Sequence, residues 1–156
     1  MTTEQTMTVT GTMAPAVAVT PFTSATEQAV VCGFEVVFLP SDSRAGQMRR
    51  ITTTHLQIWD LAELIDTVAL AVSELVTNAV RHGQGKPVGL RVTNSAHELR
   101  IEVTDGSQER ARLRYSAQND ESGRGLLLVD ALTDRWGVSP DGTTTWCSIA
   151  IPQGRS

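Results

Sequence analysis

Apolar positions repeat along this chain with two different periods, and the changes of period outline its elements. The first clear run is "FEVVFLP", Phe34 to Pro40, short, rich in Val and Phe and stopped by proline, which predicts a strand. "SDS" (Ser41 to Ser43) offers helix N-caps. Ala45, Met48, Ile51, His55, Leu56 and Trp59 then recur at helical spacing. A longer helix is expected from about Leu61 to His82, with Gly83 as its stop. After it the period falls to two. Val88, Leu90 and Val92 alternate with polar or small residues, and so do Leu99, Ile101 and Val103, with Asn94 and Ser95 as turn residues between them. That pattern predicts a β-hairpin. Residues 106–122 are polar and patternless, a long loop of the kind that often serves as a functional lid. Gly125 then opens "GLLLVDAL", a short helix. "WGV", the turn "SPDG" and "TTTWCSIAI" predict a closing pair of strands. Helices on one face of a largely antiparallel sheet make an α+β sandwich of two layers.

Composition narrows the class. The chain has 156 residues, enough for one domain with a core of its own. Residues 1–28 are rich in Thr, Ala and Pro without apolar periodicity, and are expected to be a flexible tail ahead of a single domain over 29–156. The formal net charge of -4 lacks the basic surplus of a nucleic-acid binder. No apolar run approaches the roughly 18 residues of a membrane span, and the N-terminus does not read as a secretory signal. Cys32 and Cys147 each sit in an apolar stretch, as buried reduced thiols of a cytoplasmic protein do.

Three short stretches carry candidate chemistry. In "SELVTNAVRHG" (Ser73 to Gly83), the apolar pattern of the long helix is interrupted by Glu74, Asn78, Arg81 and His82, and Glu74, Asn78 and Arg81 are expected roughly opposite the face of Leu61, Ile65, Val68, Val72, Val76 and Ala79. Glu74 and Asn78 are four apart and therefore neighbours one turn from each other. A carboxylate and an amide oxygen so placed can hold a hydrated Mg²⁺, or the carboxylate can take a proton from an attacking group. The solvated face of an amphipathic helix carries such residues too. In "LRIEVTDG", alternation puts Asp105 on the inward face after Leu99, Ile101 and Val103. A buried carboxylate needs donors, and a ligand amino group is one. A turn aspartate bonding its own backbone is the other reading. Gly106 beside it leaves room for a flat ring. In "SGRGLLLV", two glycines flank Arg124 just where a helix begins, a place that attracts phosphate, although a plain glycine-rich loop has the same composition.

Taken together, "ELVTNAVRHG", "VTDG" and "GRGL" in this order resemble the GHKL ATPase superfamily over about Phe34 to Ile151. The short lid, "GRGLLLVDAL" and "WGV…GTTTW" look most like the anti-sigma-factor serine/threonine kinases common in actinobacteria. The resemblance implies the Bergerat fold, helices on a mixed, mostly antiparallel sheet, with ATP and Mg²⁺ bound. It implies Glu74 as general base and Asn78 as the Mg²⁺ ligand. Asp105 would take the adenine amino group, with Gly106 in the same turn. Gly123, Arg124, Gly125 and Leu126 would lie along the phosphates, and Thr144 near the adenine. Arg81 and His82 extend the first motif toward the nucleotide or the helix end. Two departures stand out. Ser107 occupies the place of a glycine in Asp-x-Gly, and the acidic "NDES" (Asn119 to Ser122) precedes the second motif, where a basic residue sometimes stands.

The implied function is a kinase that phosphorylates a small anti-anti-sigma (STAS-type) protein in transcriptional control. The alternative is a nucleotide-binding but catalytically weak module that sequesters a sigma factor or other partner, which the acidic "NDES" favours. Relatives suggest a homodimer. No direct nucleic-acid or membrane partner is expected. The helix from Ala45 to Trp59, with Arg44, Arg49 and Arg50, is a candidate surface for acidic partners. A sensor histidine kinase would need a phospho-accepting histidine helix, and His55 is expected to pack or cap instead.

Overall fold

The computed structural model describes residues 7–9, 17–106 and 121–153. Within these residues seven strands form one sheet: β1 (Met7–Val9), β2 (Val17–Ala25), β3 (Val30–Phe38), β4 (Val88–Asn94), β5 (Glu98–Thr104), β6 (Arg135–Val138) and β7 (Thr144–Ala150). Among the described residues three helices accompany them: α1 (Arg44–Ile58), α2 (Ile65–His82) and α3 (Glu121–Leu132). The sheet order is β1-β2-β3-β4-β5-β7-β6, and every pairing among the described residues is antiparallel. The expected two-layer α+β sandwich is present, and the sheet expected to be mostly antiparallel is antiparallel at every described pairing.

The core lies where the two periods meet. One face of α2 carries Val68, Ala71, Val72, Leu75, Val76 and Ala79, all at most 2 % exposed. It packs on Val88, Leu90 and Val92 of β4 and Leu99, Ile101 and Val103 of β5. Burying side chains of this size contributes about 1.5–3 kcal/mol each. α1 adds Met48, Ile51 and Leu56 to the same cluster. Leu61 does not begin α2 directly, because a 3-10 turn over Ala62–Leu64 intervenes. The hairpin turn forms as its residues dictate. The Asn94 Oδ1 accepts the Ala96 N–H at 3.0 Å, and Ala96 takes the left-handed φ of 71°.

The expectation of a flexible tail over 1–28 is corrected at Met7–Val9 and Val17–Ala25, which are strands of the sheet. Val17–Ala25 is a full strand, paired residue by residue with β3 from Val19↔Val36 to Ala25↔Val30. Val17 and Val19 enter the core. Pro21 argued against a strand, but β1 pairs only with residues 17–19. Among the described residues Pro21 therefore has a strand partner on the β3 side only, and a missing N–H is tolerated on the other side. Phe22 lies over Gly33, where an added Cβ would come within 2.5 Å of its ring, and the Arg91 guanidinium stacks on that ring at 4.3 Å.

One residue expected at the surface turns inward. Arg44 is 5 % exposed. Its Nε donates to the Leu39 carbonyl at 2.9 Å and its Nη1 to Gln47 Oε1 at 2.7 Å, so it fastens the start of α1 and leaves only Arg49 and Arg50 exposed for partners. His55 packs as expected, stacked on Phe34 at 4.1 Å, with its Nδ1 2.9 Å from the Ile51 carbonyl. Both cysteines are free thiols. Burial pushes the Cys147 thiol up to about 12, whereas Cys32 is only half-buried. Among the described residues no helix is long and apolar enough to cross a membrane.

Candidate functional site

The site is built at one end of α2. Alternation along β5 carries Asp105 to the covered face just past the strand, where it is 3 % exposed. Its N–H donates to the Thr143 carbonyl at 2.9 Å, which ties the turn to β7. Above it lies Gly83, the residue that ends α2. An added Cβ there would stand 3.9 Å from Asp105 Cβ and only 2.5 Å from the Ala79 carbonyl oxygen. Gly83 has an ordinary φ of -77°, so glycine serves close approach here, while Gln84 and Gly85 take the positive φ values of the turn. The helix stops at Gly83, where it was expected to.

Asn78 lies one turn and a half back from Gly83 and is 3 % exposed. The expectation that it sits opposite the core face is corrected, since 100° per residue carries it to the edge of the buried stripe beside Leu75. Glu74, one turn further, is half-buried. Asn78 and Glu74 thus form a short polar strip along α2 that leads away from Asp105. His82 is half-buried near Gly83. Arg81 is exposed and lines a separate hollow of about 200 Å³ with Ser41, Asp42, Ala45, Thr77 and Val80, between α1 and α2.

The glycine pair belongs to α3. Gly123 and Gly125 lie within its first turns, whereas the helix was expected to open at Gly125. α3 packs against α2. Leu126 is 5 % exposed and joins the hydrophobic core, so it holds α3 in place. The side chain of Arg124, the residue Ser107 and the lid up to residue 120 lie outside the described residues.

The Thr144 side chain is on the opposite face of the sheet from Asp105. It pairs with Thr104, and their hydroxyls meet at 2.9 Å on the outer face of the sheet. Its neighbour Thr145 pairs with Val103, is 2 % exposed and stands on the same face as Asp105. The signal was present in the sequence: counting back by twos from Ile149 and Cys147 reaches Thr145. Gly106 was expected to leave room for a ring. The stem of Lys86 crosses that space, with its Cδ 2.7 Å from where a Cβ would be.

The donor set fits an ATP-bound Mg²⁺ chemically. Glu74 and Asn78 offer oxygen only, which suits a hard cation. Among the described residues no cluster of three His, Cys, Asp or Glu side chains could cage a metal. Mg²⁺ needs no such cage, since it keeps several waters and takes its remaining ligands from substrate phosphates. A buried carboxylate at the other end suits a neutral donor such as a base amino group.

Residues 38–149 match the histidine kinase-like ATPase domain, and the chain belongs to that family. Among curated proteins it is similar to an uncharacterized protein of Streptomyces coelicolor, 41 % identical over 76 residues, which cover 46 % of this chain and 71 % of that protein.

Proposed function

We propose that this chain is an ATP-binding regulator of the anti-sigma-factor type that phosphorylates a serine or threonine of a small anti-anti-sigma protein in the cytoplasm. The observation that carries the reading is the buried pair at one end of α2: Asp105 beneath Gly83 and Asn78 a turn and a half back, in a chain of the histidine kinase-like ATPase family. Asp105 would accept the amino group of the base. The Asn78 amide oxygen would hold Mg²⁺, which neutralises phosphate charge when bound. Glu74 would accept the proton of the substrate hydroxyl as its oxygen bonds to the γ-phosphorus and the bond to the β-phosphate oxygen breaks, releasing ADP. Phosphoryl transfer asks mainly for positioning and charge neutralisation, so this small set suffices.

A second reading, a domain that sequesters its partner without transfer, is favoured by the acidic "NDES" ahead of Gly123. Mg·ATP titration of the wild type and Glu74→Ala, with phosphate transfer to a candidate anti-anti-sigma protein, separates the two. Under the first reading both proteins bind Mg·ATP and only the wild type transfers. Binding without transfer by the wild type supports the second. A folded wild type that ignores millimolar ATP defeats both nucleotide readings.

A further inference from the structure

Lys86 stands in the short connection between α2 and β4, outside every motif. The connection turns sharply through Gln84 and Gly85, with φ of 54° and 78°, and the Lys86 N–H closes the turn on the Gly83 carbonyl at 3.1 Å. This sends the Lys86 side chain across Gly106. A Cβ on Gly106 would meet Lys86 Cδ at 2.7 Å, Cβ at 3.6 Å and Cγ at 3.7 Å. The ammonium donates to the Gly106 carbonyl at 3.5 Å, a long and weak bond. Among the described residues no carboxylate pairs with it. A lysine is thus laid over the rim of the Asp105 site and held there loosely.

Its place along α2 decides which end of a ligand it meets. At 1.5 Å per residue, Asn78 and Glu74 stand about 8 Å and 14 Å back along the axis from Gly83. Lys86 follows Gly83 by three residues and lies against Gly106, the residue after Asp105. It is therefore at the end where Asp105 would hold the base and remote from the strip that would face the phosphates.

Resting on the nucleotide reading above, we propose that Lys86 is a base-end binding residue whose methylene stem covers the ring held by Asp105, while its ammonium stays in water. Long cationic side chains commonly cover apolar surface in this manner. Gly106 is the condition for it, because any side chain there would push the stem off the rim.

The test is titration of Mg·ATP and Mg·ADP into the wild type, Lys86→Ala and Lys86→Met, with thermal unfolding of each. Lys86→Ala is expected to weaken both nucleotides by the same factor, about two- to tenfold. Lys86→Met, which keeps an unbranched stem without the charge, is expected to restore most of that loss. Unfolding midpoints should match the wild type, since the side chain is exposed. Unchanged affinity in Lys86→Ala, a loss confined to ATP, or a Met variant as weak as the Ala variant would each overturn the assignment while the nucleotide reading stands. A wild type that binds neither nucleotide removes the nucleotide reading itself.

Discussion

Thr144 and Thr145 are neighbours with the same side chain, and the sheet gives them opposite fates. Thr145 turns toward the helices, 2 % exposed beside Val103 and on the face that carries Asp105. Thr144 turns toward solvent and shares a hydrogen bond with Thr104. The contrast extends along β5. Leu99, Ile101 and Val103 line the covered face, while Glu98, Arg100, Glu102 and Thr104 line the open one. On the open face charges satisfy each other and the ring surfaces nearby, as where Arg100 lies 4.2 Å over the Trp146 ring. On the covered face a polar group must be held by protein or ligand. Residue type therefore says less about a role in the site than the parity of a residue's position in its strand.

The largest expected difference between the faces is in stability. Leu99→Ala opens a void in the core and should cost about 2–5 kcal/mol in denaturant unfolding. Glu102→Ala on the open face removes a bond of 3.1 Å to Arg100 and should cost no more than about 1 kcal/mol. Equal costs would mean that the open face is covered in solution. Next comes ligand affinity. Asp105→Asn should weaken Mg·ATP binding by about 1.5–3 kcal/mol, roughly ten- to a hundredfold, in a calorimetric titration. A variant that binds like the wild type would take the base away from this turn.

The threonines test parity itself. Thr145→Val should cost about 0.5–1.5 kcal/mol of stability or nucleotide affinity, and Thr144→Val less than either. The reverse order would contradict the register of β5 and β7. The smallest effect is expected at Glu98, where the Ser148 hydroxyl, and then Arg135 at 2.7 Å, hold the carboxyl below its ordinary 4.5. A lowered folded value means that this stabilisation is present above about 4.5 and fades as pH falls through the folded value. Glu98→Gln should therefore lose at most about 1 kcal/mol at neutral pH, and the gap to the wild type should close on acidification. A gap that widens in acid would reverse the sign of the linkage.

Much of the site could be read from local pattern. The period of two in β5 carried Asp105 inward, and the three motifs in their order carried the family that residues 38–149 match. Other residues resisted such reading because their roles depend on distant neighbours. Arg44 looked like a surface cation until Leu39 and Gln47 supplied acceptors for it. Lys86 lay in an unremarked loop until the turn at Gln84 and Gly85 folded it onto Gly106.

By itself, the sequence determined the helices, the hairpin and the inward side of β5, because each is a matter of periodicity and turn chemistry within a few residues. Only the tertiary structure decided that Val17–Ala25 belongs to the sheet. Its Pro21 weakens the local preference, and the strand exists because β3 offers it a ladder from Val19 to Ala25 and the core receives Val17 and Val19. Tertiary structure likewise laid Gly83 beside Asp105, whereas the approach that requires a glycine there, 2.5 Å from an added Cβ to the Ala79 carbonyl oxygen, is local to the end of α2.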